Sequence, residues 1–195
     1  MLSEIIFASH NAGKIKEIKE LLKPFNINVK SALDMDLPDV EETGETFLEN
    51  SLLKSQTIAR LTGIPCLADD SGLCVDALNG APGVYSARYA PNRDFVKGME
   101  KLLSEMAQSQ NKSRKAHFTC VMSLAWPSGK YELFEGRVDG EIAFEPKGNS
   151  GFGYDPLFVP EGFDCSFAQM PSDVKNKISH RGRAVKKLKS FLEKI

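Results

Sequence analysis

The chain has 195 residues, with 25 Lys plus Arg against 26 Asp plus Glu, a formal net charge of −1, and 42% hydrophobic and 26% charged residues. These values suit one ordinary globular domain, or two lobes sharing a core, and exclude a disordered chain, a collagen-like fibre and a disulfide-dense mini-protein. They also exclude a protein that holds nucleic acid through its overall charge. The four cysteines, Cys66, Cys74, Cys120 and Cys165, form no C-x-x-C pair, and with three histidines in the chain a structural zinc site is not expected. They are expected as small buried hydrophobes in a reducing cytoplasm. The start, Ser3-Glu4-Ile5-Ile6-Phe7-Ala8, is too short and wrongly flanked for a signal peptide. The longest apolar stretch, around Cys120 to Trp126, falls far below the roughly 20 residues that cross a bilayer, so no membrane partner is expected.

In chain order, Ile5 to Ala8 predicts a buried strand, and Asn11 to Lys23 a helix with Ile15, Ile18, Leu21 and Leu22 on one side, stopped by Pro24. Ile27 to Val29 reads as a second strand, giving the β-loop-α opening of an α/β fold. An acidic stretch from Asp34 to Glu49 leads into a helix over 45–61 with Phe47, Leu48, Leu52, Ile58 and Leu61 as its apolar side, ended by Gly63 and Pro65. Cys66 to Ala68 predicts a short strand running into Asp69-Asp70-Ser71-Gly72. Gly80, Pro82 and Gly83 mark a loop, and Phe95 to Met106 a further amphipathic helix. Ala116 to Trp126 and Tyr131 to Phe144 are β-rich and flank Pro127-Ser128-Gly129, a hairpin pattern. Leu157 to Val159 predicts another strand, and Ser179 to Ile195 a basic closing helix. No repeat or linker interrupts this, so the expectation is a single α/β domain over 1–195.

Five clusters carry possible chemistry. Ser9-His10-Asn11-Ala12-Gly13-Lys14 lies between a strand and a helix start, where free N–H groups attract anions and Lys14 adds a mobile charge. The two-glycine frame of a Walker A loop is missing, and an ordinary N-cap fits the stretch as well. Asp69 and Asp70 end an apolar run, where carboxylates can hold magnesium and take a proton from water. Taken alone, D-D-S-G reads first as an Asx turn closing a strand. Because neighbours on a strand point to opposite faces, one of the two acids is expected in a given site. Glu41, Glu42, Glu45 and Glu49 form an acidic segment whose last two members read as solvated helix residues, four apart and mildly repelling.

Ser150-Gly151-Phe152-Gly153-Tyr154-Asp155-Pro156 offers glycines for close backbone approach, aromatic faces for stacking at Phe152 and Tyr154, and an acceptor at Asp155. Lys175 to Arg181 sets cations and His180 beside a helix start, where the dipole repels them unless an anion binds. Lys186, Lys187, Lys189 and Lys194 read as a solvated face. Phosphate-seeking groups near both ends of the chain, with carboxylates in the first half, suit a magnesium-dependent enzyme acting on a nucleoside phosphate. A non-enzymatic RNA-binding role for the last helix would leave those acids unused.

Together these blocks resemble the inosine triphosphate pyrophosphatase family, the house-cleaning nucleotide pyrophosphatases. The matching stretches are Ala8 to Lys14, Glu41 to Lys54 (E-E-T-G-E-T-F-L-E-N-S-L-L-K), Ala68 to Ala90, Gly151 to Pro160 (G-F-G-Y-D-P-L-F-V-P) and Ser179 to Arg181, in the family's order and over nearly the whole chain. The resemblance implies hydrolysis of dITP, ITP and XTP to the monophosphate and pyrophosphate, which cleanses the nucleotide pool. It implies an elongated mixed β-sheet flanked by helices, with two lobes around a nucleotide-binding cleft, working as a cytoplasmic homodimer with Mg2+. By matching motif, Asp70 would be the catalytic carboxylate and a magnesium ligand, with Glu42 or its neighbour Glu41 the second ligand. Ser9, His10, Asn11, Ala12, Gly13, Lys14, Lys54 and Ser71 would bind the triphosphate. Phe152, Gly153, Tyr154 and Asp155 would line the base and sugar pocket, and Lys175, His180 and Arg181 would meet the 6-oxo purine and a nearby phosphate. The family's first block usually reads T-G-N-x-x-K; here Ser9 keeps the hydroxyl and His10 replaces the glycine.

Overall fold

In a computed structural model, which describes residues 2–194, the chain forms a mixed six-stranded sheet flanked by helices. β1 (Glu4–Phe7) is followed by α1 (Ala12–Leu22) and β2 (Asn28–Ser31), then by α2 (Phe47–Thr62) and β3 (Cys66–Val75). α3 (Phe95–Gln108) precedes β4 (Lys115–Ala125) and β5 (Tyr131–Ile142), and β6 (Phe158–Pro160), α4 (Ser172–Ile178) and α5 (His180–Leu192) complete the chain. The strand order is β2-β1-β3-β4-β5-β6. β1 runs parallel to both β2 and β3, as a β-α-β crossover requires, and β5 runs antiparallel to β6 with Gly140 opposite Pro160.

The chain divides into two compact units: residues 1–70, 121–135 and 184–195, and residues 71–120 and 136–183. β3, β4 and β5 each pass from one unit into the other, and Asp70 and Ser71 are the consecutive residues at which β3 does so. The core of the first unit gathers Ile6, Ala8, Ile58, Ala59, Cys66, Ala68 and Ala125. That of the second is larger and aromatic, with Phe118 edge-on to Phe158 at 4.8 Å and stacked on His180 at 4.7 Å.

Most of the expected elements form close to their expected places, and four differ for identifiable reasons. β3 does not stop at Ala68; it runs ten residues, straight through Asp69-Asp70-Ser71-Gly72, because its start pairs with β1 and its length with β4. The local preference of Asp for a turn yields to sheet pairing. Of the expected apolar side of α2, only Ile58 is fully buried. Leu48 and Leu61 are exposed, and the buried stripe is Asn50, Ser51, Lys54 and Ser55, followed by Ile58 and Ala59. Its hydroxyls are satisfied within the unit: Ser123 Oγ lies 2.8 Å from Ser51 Oγ and 2.7 Å from Ser55 Oγ, and Ser51 Oγ donates to the Ala68 carbonyl at 3.2 Å.

The basic stretch Lys175–Ile178 is not the start of the last helix but the end of a short helix of its own. Ser179 then opens α5 afresh, with its Oγ accepting the Gly182 N–H and its carbonyl the Arg183 N–H. Finally, Glu45 and Glu49 do not repel along one helix face. Glu45 precedes the helix, and the Glu49 carboxylate accepts the backbone N–H groups of Glu45 (2.8 Å) and Thr46 (3.0 Å). Thr46 Oγ1 accepts the Glu49 N–H in return, a reciprocal capping box that pulls the Glu49 carboxyl below its ordinary pKa.

That cap fixes where α2 begins and hence which residues form its polar stripe. Thr46→Ala is expected to cost about 1 kcal/mol in urea unfolding, with Thr46→Ser close to the parent chain.

Candidate functional site

The sequence-derived site residues fall into two sets, one in each unit. In the first, β1 hands over to α1 through Ser9, His10 and Asn11. Asn11 caps α1, its Oδ1 accepting the Lys14 N–H at 3.1 Å, while Ser9 Oγ accepts the Asn11 N–H at 3.2 Å. Ala12 and Gly13 form the exposed first turn, so the helix presents open N–H groups to an anion. His10 turns aside: its Nε2 lies 3.0 Å from the Leu37 carbonyl and its Nδ1 3.5 Å from Asp39. Lys14 reaches across to β3, with its Nζ 2.9 Å from the buried Asp69 carboxylate.

Asp69 and Asp70 project to opposite faces of β3, and each meets a different helix. Asp69 takes Lys14 of α1, and Asp70, 5% exposed, accepts from Asn50 Nδ2 of α2 at 3.0 Å. One turn further along α2, the buried Lys54 ammonium is paired with Glu42. Of the two neighbouring acids, Glu42 is half-buried and turned to Lys54, whereas Glu41 is exposed.

The electrostatics of this group follow from its burial. Loss of water drives the Asp70 carboxyl up to about 6 from its ordinary 3.8; Lys54 and Lys14 pull it down, Glu42 pushes it further up, and the Asn50 hydrogen bond again favours the charged form. Burial alone would lower the Lys54 ammonium, but Glu42, Asp70 and Asp69 together hold it above its ordinary value. Lys54 therefore stays charged, while the carboxylate of Asp70 is ionised at neutral pH and unusually basic.

Among the described residues, no three His, Cys, Asp or Glu side chains form a ready metal cage. Magnesium needs none, since one or two carboxylates together with substrate phosphates and water commonly hold it. Asp70 and Glu42 fit that donor set. Their mutual repulsion and the burial of Asp70 are costs that a divalent cation would offset.

The second set gathers around Asp155. Its Oδ2 accepts the Phe152 N–H at 2.7 Å and Lys175 Nζ at 2.6 Å. Burial pushes this carboxyl up as well, opposed by Lys175, the Phe152 N–H and Arg181. Lys175 Nζ and the Arg181 guanidinium lie 5.0 and 5.5 Å from the centre of the Phe152 ring, within cation–π reach. Phe152 is 39% exposed and offers a stacking face. Tyr154 does not: its ring is buried edge-on to Phe95, and its hydroxyl donates to the Ser86 carbonyl at 3.1 Å. Gly153 turns the chain between them at φ +67°. Arg181, 2% exposed, donates from its guanidinium to Ser71 Oγ at 3.2 Å, and His180 is buried flat against Phe118.

One contributor went unassigned by sequence reasoning. Asn50 lay inside a quoted motif, and its signal was a polar residue in the buried stripe of a helix. Gly151 adopts φ +76°, and a Cβ there would come within 2.1 Å of Asp155 Oδ2, so the glycine is what lets Asp155 fold back on its own loop.

Helix-start amides and lysines beside buried acids are chemically suited to a polyanion and its counter-cation, and an exposed ring beside Lys175 and the buried Arg181 is suited to a flat polar ligand. A model of the Ham1 family matches residues 5–191. A protein of Zymomonas mobilis named dITP/XTP pyrophosphatase is 49% identical over 186 residues, spanning 94% of this chain and 89% of its own. One of the same name from Bacillus subtilis is 45% identical over 195 residues, spanning 99% and 98%. The solved structure of a HAM1 protein from Coxiella burnetii superposes with a TM-score of 0.93 at 41% identity over 100% of both chains. The Staphylococcus aureus Ham1 protein does so at 0.88 and 43%, over 98% of each. The chain belongs to the Ham1 family.

The raised pKa of Asp70 has a consequence for stability. Because the folded chain holds this proton more tightly than the unfolded chain, Asp70 costs nothing below pH 4. Its cost grows as pH rises from 4 to 6 and is complete above that, at roughly 2–3 kcal/mol. In metal-free buffer Asp70→Asn is expected to stabilise the protein by up to that amount at pH 8 and hardly at all at pH 4. Urea unfolding at the two pH values checks this; a gain independent of pH would contradict it.

Proposed function

We propose that this chain hydrolyses non-standard purine nucleoside triphosphates, dITP, ITP, XTP and dXTP, to the monophosphate and pyrophosphate, with Mg2+ as its cation. The observation that carries the reading is the buried group of Asp69, Asp70, Lys14 and Lys54, where a basic carboxylate sits among fixed positive charges. The names of its relatives, at 49% and 45% identity over nearly the whole chain, point to the same reaction.

In this reading water attacks the α-phosphorus and the bond to the bridging oxygen breaks, releasing pyrophosphate. Asp70 accepts the proton of the attacking water; before the cation binds, burial holds its carboxyl at about 6, ionised at pH 7 yet more basic than an ordinary aspartate. Lys14 and Lys54 offset charge on the phosphates, with the N–H groups and the side chains of Ser9 and Asn11 as further contacts. Asp70 and Glu42 would hold magnesium, which supplies charge neutralisation and a more acidic bound water.

Phe152 stacks on the base. Lys175, His180 and Arg181 present donors to the 6-oxo group, which a 6-amino purine cannot satisfy. One buried donor left unpaired costs about 1–3 kcal/mol, giving roughly ten- to hundredfold discrimination. The resemblance further implies a cytoplasmic homodimer, which light scattering of the purified protein checks. No described helix is long and apolar enough to cross a membrane.

Pyrophosphate release from dITP, XTP, dATP and dGTP, with magnesium or with EDTA, tests the proposal. Metal-dependent release is expected, with dITP and XTP favoured over dATP, which lacks the 6-oxo group, and Asp70→Asn should lower kcat by roughly 100- to 10,000-fold while the protein stays folded. Equal turnover of all four would overturn the base-selective part, and undiminished turnover by Asp70→Asn the assignment of the base.

A further inference from the structure

Asn50 is wholly buried, and its amide is used at both ends. Its Nδ2 donates to Asp70 Oδ2 at 3.0 Å, and its Oδ1 accepts the Gly44 N–H at 2.8 Å. The chemistry of the two partners fixes the amide's orientation: an ionised carboxylate can only accept, and a backbone N–H can only donate. Gly44 lies two residues beyond Glu42 in the loop that leads into α2. A Cβ at Gly44 would come within 2.6 Å of Glu49 Cβ and 2.8 Å of Asn50 Oδ1, so the loop approaches the amide as closely as it does only because residue 44 is glycine.

Building on the proposed reaction, we infer that Asn50 is a positioning residue that ties the Glu42 loop to Asp70, holding the two acids in register for one cation. It does not touch substrate; it acts through the two carboxylates. Asp70 is thereby oriented from the side of α2, whose place on β3 is set by the Ser51 hydroxyl on the Ala68 carbonyl. Glu42 gains a fixed loop, where an acid on a mobile segment would lose that geometry. Partners of this outer kind typically change metal affinity or activity by roughly 10- to 100-fold when removed.

The two ends of the amide can be cut separately. Asn50→Asp keeps an acceptor for Gly44 but faces Asp70 with a second carboxylate. Gly44→Ala crowds the loop end, where the added Cβ meets Asn50 Oδ1, while keeping both the amide and Asp70, and Asn50→Ala removes both contacts. With dITP as substrate, each variant is expected to lower kcat roughly 10- to 100-fold with KM changed less than about threefold. Amide exchange read by NMR on the metal-free protein supplies a readout independent of turnover. The Gly44 N–H should exchange at least about tenfold faster in Asn50→Ala and stay protected in Asn50→Asp.

Wild-type kcat in Gly44→Ala would overturn the bridge even if an Asn50 variant failed to fold. Equal kcat losses confined to Asn50 variants, with Gly44 exchange unchanged, would reduce Asn50 to a partner of Asp70 alone and overturn the link to the loop. Failure of the reaction assignment looks different: the parent chain would then not release pyrophosphate from dITP at all.

Discussion

A carboxylate taken out of water must be matched by charge or hydrogen bonds, or it keeps its proton. Asp70 meets this constraint only in part. Lys14 and Lys54 are near enough to lower its pKa, but each is bound to another acid, Lys14 to Asp69 and Lys54 to Glu42. Asp70 itself accepts from the Asn50 amide. Burial outweighs their pull and leaves an ionised but basic carboxylate, whose charge a further cation would offset. The rest of the first unit serves that balance: a capping box starts α2 at the right residue, and a polar stripe on its buried side carries Asn50 and Lys54 to β3.

The second unit solves the same problem the other way. Asp155 is as buried as Asp70, yet Lys175 sits directly on it at 2.6 Å and Arg181 adds to the field. Burial nonetheless leaves this carboxyl raised, as it does that of Asp70. Asp155 pins Lys175 beside the exposed Phe152 ring and, through the Phe152 N–H, shapes the loop that carries that ring.

How much of this could be read from the sequence depended on whether the partners were local. α1, α3 and the β4–β5 hairpin follow from periodicity and turn residues within a few positions, and Asn11 announces its own cap. α2 misleads because its buried face is polar. Leu48 and Leu61 suggest an apolar side, while the residues that make Asn50 and Ser51 buriable, Asp70 and Ser123, lie 20 and 72 positions away. The Asp69-Asp70 turn preference was likewise a local signal, overruled by strand pairing that no short window contains. Tyr154 and Phe152 are both aromatic residues in one glycine-rich loop, and which of them is exposed depends on Phe95 and Ser86. The choice between Glu41 and Glu42 turns on the reach of Lys54.

The titration of Asp70 itself bears most directly on the account. Carbon-13 NMR of its side-chain carboxyl, in metal-free protein between pH 3 and pH 8, should give a midpoint near 6. Addition of magnesium should shift that midpoint down, because the cation supplies the missing positive charge. A midpoint at or below the ordinary 3.8 in the metal-free protein would mean that the lysines already match the acid. Asp70 would then be no better a base than an ordinary aspartate, and its role as the proton acceptor would be contradicted.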